Sequence, residues 1–146
     1  MKFIHKILNA IYDYDYRNYR NALENTSKSE LHKEKDVEPL KFSILIYNYN
    51  QGMFFKNCFD SIIEQKCSNW EAIILDDCST DNSVMIIKNI IGNDKRFCIH
   101  ENISKIGFEM SKTKLIGLSV GKVYGFLNCE DELADNALRN IIIKCR

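Results

Sequence analysis

Three short polar stretches carry the residues best placed to do chemistry: Tyr47-Asn48-Tyr49-Asn50, Asp76-Asp77-Cys78-Ser79-Thr80-Asp81 and Asn128-Cys129-Glu130-Asp131-Glu132. Each follows an apolar run. A flat aromatic such as Tyr49 can stack on a nucleobase. A carboxylate such as Asp76 or Asp77 can accept from a ring N–H or a ribose hydroxyl. Glu130, with Asp131 and Asn128 beside it, offers hard oxygen ligands to magnesium or manganese. A divalent cation held there neutralises charge on a departing diphosphate. The three stretches together suit a nucleoside diphosphate and a divalent cation (Mn or Mg).

One architecture brings all three to the same edge. Residues 42–47, 70–75, 96–100 and 123–127 are short apolar runs that read as buried strands. Met53, Phe54, Phe55, Cys58, Phe59, Ile62 and Ile63 fall on one helical face. Residues 83–91 read as a helix ended by Gly92-Asn93, and residues 110–120 as another. Asp135 is placed to cap a last helix running through Cys145. The order is β-α-β-α-β-α-β-α, which implies an α/β fold with a mostly parallel sheet covered on both faces. Ligands of such sheets bind outside the carboxyl ends of the strands, where the polar stretches sit.

Bulk properties narrow the classes. The chain has 146 residues, 45% hydrophobic and 27% charged, with zero formal net charge. Such balance argues against a partner that is a nucleic acid polymer. The six cysteines (Cys58, Cys67, Cys78, Cys98, Cys129, Cys145) form no C-x-x-C pair and read as reduced core thiols. No G-x-G-x-x-G follows the first strand, which disfavours a dinucleotide oxidoreductase. The third strand ends in His100-Glu101-Asn102 without the lone aspartate of a phosphoacceptor domain. Residues 1–41 differ in character. Phe3, Ile4, Ile7, Leu8, Ile11 and Tyr12 recur at helical spacing, and a mixed-charge run at 28–38 ends at Pro39. The expected division is a helical, charged extension over 1–41 and a domain over 42–146. The stripe either packs on protein or lies on a membrane surface, with Lys2, Lys6, Arg17 and Arg20 flanking it. Cytoplasmic placement, with contact at the inner face of the membrane, is the matching expectation.

The blocks in order resemble family 2 glycosyltransferases. Ser43 to Asn50 resembles that family's opening strand. Ser61-Ile62-Ile63-Glu64-Gln65, then Trp70 to Asp81, resembles its next block. Gly121-Lys122-Val123-Tyr124-Gly125-Phe126-Leu127, then Asn128-Cys129-Glu130-Asp131, stands where the family has its metal-binding D-x-D motif. The resemblance covers residues 42–146. It implies the Rossmann-like GT-A fold and transfer of a sugar from a nucleoside-diphosphate sugar, a UDP-sugar first, in bacterial surface polysaccharide or glycan synthesis. The acceptor would be a glycan or a lipid-linked molecule. Tyr49 would stack on the base and Asp77 would contact base or ribose. Glu130 would ligate the cation, and Lys112 or Lys114 would lie near the diphosphate.

The chain departs from that pattern in places. Tyr47 stands where the family has proline, and Cys78 where it commonly has glycine. Asn128 replaces the first acid of D-x-D, and the second is Glu130. An amide carries no charge, so the expectation is a weaker cation site, or one built by Glu130 and Asp131 together. Family members carry a further segment with the acceptor site and the basic carboxylate. The chain stops one helix past the acidic cluster, so a fragment or truncated product is expected and no residue is assigned as the base. The competing reading is a non-catalytic nucleotide-sugar-binding module or an inactive relic.

Overall fold

A computed structural model of the chain describes residues 40–144. The stripe of residues 3–23, its membrane contact, the charged run of 28–38 and Cys145 lie outside the described residues. Four strands, β1 (Phe42–Asn48), β2 (Trp70–Asp76), β3 (Phe97–Glu101) and β4 (Val123–Asn128), alternate with four helices. These are α1 (Phe55–Ile63), α2 (Ser83–Ile91), α3 (Phe108–Leu118) and α4 (Ala137–Lys144). A single 3-10 turn, Gly52–Phe54, leads into α1. None of the described helices is long and apolar enough to cross a membrane.

The four strands form one sheet in the order β3-β2-β1-β4, and every pairing is parallel. The chain therefore walks outward from β1 to β3, then returns to the other side of β1. Right-handed crossovers require α1 and α2 on one face and α3 on the other. The packing agrees. Leu115 of α3 joins Leu45, Ile73 and Leu75 on one face, with Tyr124 and Phe126 against them. Phe97, the register partner of Ala72, lies on the opposite face and packs edge-on against Phe55 and at a tilt against Phe59 of α1. The central strand β1 is buried from Phe42 to Ile46, and Phe42, Ile44, Leu45 and Ile46 are its apolar side chains there. Each such side chain removed from water contributes roughly 1.5–3 kcal/mol.

Two links hold the layers in register. At the amino edge, Ser43 Oγ donates to Glu71 Oε1 at 2.6 Å and accepts from Gly121 N at 2.8 Å. Glu71 also accepts from Val120 N at 2.9 Å and pairs with Lys41 at 2.8 Å. Burial pushes the Glu71 carboxyl up, but the Lys41 and Ser43 donors outweigh it and hold the group low. On the α1 side, Gly52 lies against the first turn of α2, where Gly52 N donates to Ser83 Oγ at 2.9 Å.

Three details differ from the sequence reading. Helix α3 starts at Phe108, not 110, because Gly107 turns the chain at φ 84° and its carbonyl accepts from Ser111 N. The last helix starts at Ala137, and its cap does not come from Asp135. Gln65, at the end of α1, accepts from Leu138 N at 3.2 Å and donates to Ala134 O at 3.0 Å. Cys98 is exposed because β3 is an edge strand of the described sheet. The thiols of Cys58 and Cys129 are buried as expected, and burial raises both.

Gly52 tests this packing directly. A methyl group there would sit 2.4 Å from Ser83 Cα, a backbone atom with no room to retreat. Gly52→Ala is expected to lower the unfolding free energy by about 1–3 kcal/mol. Urea denaturation measures it, and an unchanged midpoint would show that the α1–α2 contact opens freely.

Candidate functional site

The carboxyl ends of all four strands open on one edge, as parallel pairing dictates. Asn48 is in register with Asp76, and Asp76 with Glu101, while Tyr47 is in register with Asn128. The ladder runs one residue further on each side. Asp77 N donates to Asn48 O at 2.9 Å, Asn102 N to Asp76 O at 2.8 Å, and Cys129 N to Tyr47 O at 3.3 Å. The loops that leave this row carry the three stretches singled out above.

Asp76 organises its own loop. Its Oδ2 accepts from Ser79 N at 2.8 Å, and its Oδ1 from Ser79 Oγ at 2.5 Å and Asn48 Nδ2 at 2.6 Å. Asn50 and Thr80 exchange bonds across the gap, Thr80 N to Asn50 Oδ1 at 2.8 Å and Asn50 Nδ2 to Thr80 Oγ1 at 3.2 Å. Asp81 closes the loop by accepting from Ser83 N at 2.9 Å at the start of α2. Cys78 adopts φ 62° inside this turn. That left-handed conformation explains the preference for glycine at such a position.

Asp77 organises its neighbour. The residue is fully buried. Its Oδ1 accepts from Asn102 Nδ2 and Ile106 N, both at 2.8 Å. Its Oδ2 accepts from Gly107 N at 2.8 Å and from the Tyr47 hydroxyl at 3.2 Å. Burial alone would raise this carboxyl. The Ile106 amide, the Asn102 amide group, the Gly107 amide and the Tyr47 hydroxyl outweigh burial and hold it below the usual carboxylate range. Burial and the adjacent Asp77 charge push the Tyr47 hydroxyl up to about 12, so it remains a donor. Tyr47 also meets Phe108, the first residue of α3, edge to face at 5.2 Å. A carboxylate from β2 thus fixes the loop after β3 and the start of α3.

Both acids expected to face a ligand are therefore bound up inside the protein. The outward groups are different ones. Tyr49 is half-buried, and Lys105 Nζ lies 3.4 Å over its ring centroid. Lys114 donates to Asn102 Oδ1 at 2.7 Å, which extends the Asp77 network. Lys112 pairs with Glu109 at 3.6 Å and lies 5.3 and 5.4 Å from the Phe108 and Phe126 rings. Lys105 escaped the sequence reading because nothing in its local spacing ties it to Tyr49. The link exists only once Asp77 folds residues 102–107 over the end of β1.

Beyond β4, Asn128 and Asp131 close a turn on each other. Asp131 Oδ2 accepts from Asn128 Nδ2 at 2.9 Å and from Asn128 N at 3.1 Å. Glu130 between them is exposed. The Asn128 side-chain oxygen Oδ1, the second Asp131 carboxylate oxygen and the Glu130 carboxylate accept from no protein donor among the described residues. Two carboxylates and one amide fit a hard cation that completes its shell with phosphate oxygens and water. They do not make an all-protein cage, and among the described residues no three His, Cys, Asp or Glu side chains are grouped so as to hold a metal ion by themselves. A separate cleft of about 310 Å³ between α1 and residues 132–135 is lined by Asn57, Asp60, Ser61, Glu64, Glu132 and Asp135. Its acids would repel a diphosphate, and of the three polar stretches only Glu132 reaches it.

A parallel sheet wound from β1 in both directions, with acids, an aromatic and lysines at its carboxyl edge, defines an open Rossmann-like α/β domain. The sequence pattern of "Glycosyl transferase family 2" matches residues 43–144, and the chain belongs to that family. Its fold is GT-A. Among relatives, the uncharacterized glycosyltransferase YibD of Escherichia coli (strain K12) is 34% identical over 94 residues, 64% of this chain and 27% of that protein. The putative teichuronic acid biosynthesis glycosyltransferase TuaG of Bacillus subtilis (strain 168) is 27% identical over 62% of this chain and 36% of its own length. Among solved structures, residues 1–349 of S. aureus TarS in complex with UDP-GlcNAc superpose with a TM-score of 0.66 at 20% identity, over 71% of this chain and 30% of that one. The mannosyltransferase PcManGT from Pyrobaculum calidifontis, in complex with GDP-Man and Mn2+, gives 0.65 at 17%, over 87% and 38%. The chain spans about a third of the length of the relatives it matches.

Asp77→Asn turns acceptors into a group whose NH2 faces N–H donors. It is expected to cost about 1–3 kcal/mol of stability at neutral pH. The wild-type carboxyl is depressed by folding, so its contribution is full above the usual carboxylate range and lost as pH falls through the folded value. Thermal melts of both proteins from neutral to acid pH should converge at the acid end. Curves that stay parallel would remove Asp77's charge from the account.

Proposed function

We propose that this domain binds the donor of a glycosyltransferase, a nucleoside-diphosphate sugar, at the carboxyl edge of its sheet. The carrying observation is the convergence there of Tyr49, three lysines and the oxygen-rich turn of Asn128, Glu130 and Asp131. Family membership supports transfer of a sugar to an acceptor as the reaction of the whole protein. UDP-GlcNAc in TarS and GDP-Man with Mn2+ in PcManGT support a nucleotide sugar as the ligand class. TuaG, named for teichuronic acid biosynthesis, supports a bacterial surface polysaccharide as the product, and a glycan or lipid-linked acceptor is the matching proposal. A UDP-sugar is the first donor to test, and cytoplasmic action at the inner face of the membrane is the matching location.

Each group has a part in that reading. The Tyr49 ring supplies a flat surface for the base. Asp76 and Asp77 act as frame: they hold the loops after β1, β2 and β3 in one arrangement before the ligand arrives, which lowers the ordering cost of binding. Asn128, Glu130 and Asp131 would hold Mg2+ or Mn2+. When bound, that cation supplies charge neutralisation to the diphosphate leaving group. The amide of Asn128 makes the protein's share of that shell less negative than two acids would, so Glu130 carries more of the burden.

Calorimetric titration with UDP, in Mn2+ and in EDTA, tests both parts. Wild type is expected to bind more tightly with Mn2+. Glu130→Gln should weaken Mn2+-dependent binding about tenfold or more and leave binding in EDTA unchanged. A chain that binds no nucleoside diphosphate under either condition would overturn the donor-site reading. Wild-type affinity in the Gln variant would remove Glu130 from the cation site.

A further inference from the structure

We infer that Lys105 is a phosphate-binding residue parked on Tyr49: a nucleobase takes the ring face and releases the ammonium to the diphosphate. This rests on the donor-site reading above and adds to it a residue and an order of events. Lys105 is exposed, and its Nζ stands 3.4 Å over the Tyr49 ring centroid. Among the described residues no carboxylate pairs with it. The other two lysines of the edge are engaged, Lys112 with Glu109 and Lys114 with Asn102. Among the described residues of the edge, Lys105 is thus the lysine whose partner is a neutral ring and not a charged or amide oxygen.

The backbone on either side of Lys105 is fixed. Asn102 Nδ2, Ile106 N and Gly107 N all donate to Asp77, and Asn102 N donates to Asp76 O. Only the flexible lysine stem is left to move. A base and an ammonium cannot share one ring face. Base–aromatic stacking is stronger than an exposed cation–π contact, so the base wins the exchange. The displaced ammonium then sits on a short tether next to a ligand that carries phosphates. An ammonium gains more from a phosphate than from a ring, since the new bonds join opposite charges. Tyr49 and Lys105 would together read a nucleotide as base plus charge, and a nucleoside without phosphates would gain only half.

The test compares UDP with uridine on wild type, Lys105→Ala and Tyr49→Ala, titrated at fixed Mg2+. Lys105 is exposed and takes no part in the Asp77 network, so its removal leaves the fold intact; matching melting curves confirm that. Lys105→Ala is expected to weaken UDP about tenfold while uridine binds as before or up to about fivefold tighter, because its competitor is gone. Tyr49→Ala should weaken both ligands. Equal loss of UDP and uridine in Lys105→Ala would make Lys105 a loop-shaping residue and overturn the inference. So would tighter binding of both, the mark of a simple plug, or no change in either. If wild type binds UDP and Lys105→Ala matches it, the inference fails alone. If wild type binds no nucleotide, the donor-site reading fails and this inference falls with it.

Discussion

A buried carboxylate has no water to solvate it and must be met by donors from the protein. Asp77 is met by four, and they come from three places in the chain: Tyr47 on β1, Asn102 just past β3, and the Ile106–Gly107 amides before α3. Strand pairing reaches Tyr47 and Asn102 but not Ile106 or Gly107, because the ladder ends at Asn102. The charge does what the sheet cannot. It draws the loop after β3 back over the end of β1 and sets where α3 begins. A positive helix end facing a negative group adds to the same effect. Remove that charge and the site has a sheet beneath it but no wall.

The second constraint is direction. All-parallel pairing sends every strand's carboxyl end to one side, and the outward-then-back winding leaves a crevice beside β1. Asp76 and Asp77 are adjacent on the chain, yet alternate strand geometry and the turn at Cys78 give them separate partners. Asp76 looks after the loop of β2 itself, and Asp77 looks after the loop of β3. The amino edge is tied as firmly by Ser43, Glu71 and Gly121, where a Cβ on Gly121 would lie 2.5 Å from Ser43 Oγ. Both ends of the sheet are thus locked by a buried or half-buried carboxylate that accepts several donors. The apolar core between them needs no polar help.

The fold was legible because its signals are local. Strands buried on both faces leave continuous apolar runs, and those at 42, 70 and 123 began where the runs begin. The 83–91 helix ended at its glycine. Cap donors and site partners were less legible, since they arrive from far along the chain. Gln65 caps a helix 73 residues away, whereas Asp135 stood in the place a local rule would choose. Asp77 looked like a ligand contact because its donors (a tyrosine 30 residues back, amides 29 and 30 residues on) cannot be found by spacing, whereas Asp76 takes two of its donors from Ser79 only three residues on. Lys105 was invisible for the same reason. Cys78 is the converse case: its departure from glycine was readable, and its φ of 62° supplies the physical reason.

What faces solvent follows from what does not. With Asp76 and Asp77 turned inward onto N–H and O–H donors of the protein, neither carboxylate is free to meet a ligand in the crevice. The charges at the edge include Lys105, Lys112 and Lys114 on the β3–α3 side, where Glu109 pairs with Lys112, and Glu130 with Asp131 beyond β4. Such a separation suits a ligand that is itself anionic, provided a cation stands between it and the acids. A diphosphate laid across β1 would meet ammonium groups directly and the carboxylates only through a metal ion. On the proposed reading, replacing the first acid of the metal turn by Asn128 shifts this balance. It takes one negative charge from the metal side, which weakens the cation's hold and also lessens the repulsion felt by the phosphates. The lysines would then account for a larger share of donor affinity than in a site with two acids, and that share is greatest when the cation is absent.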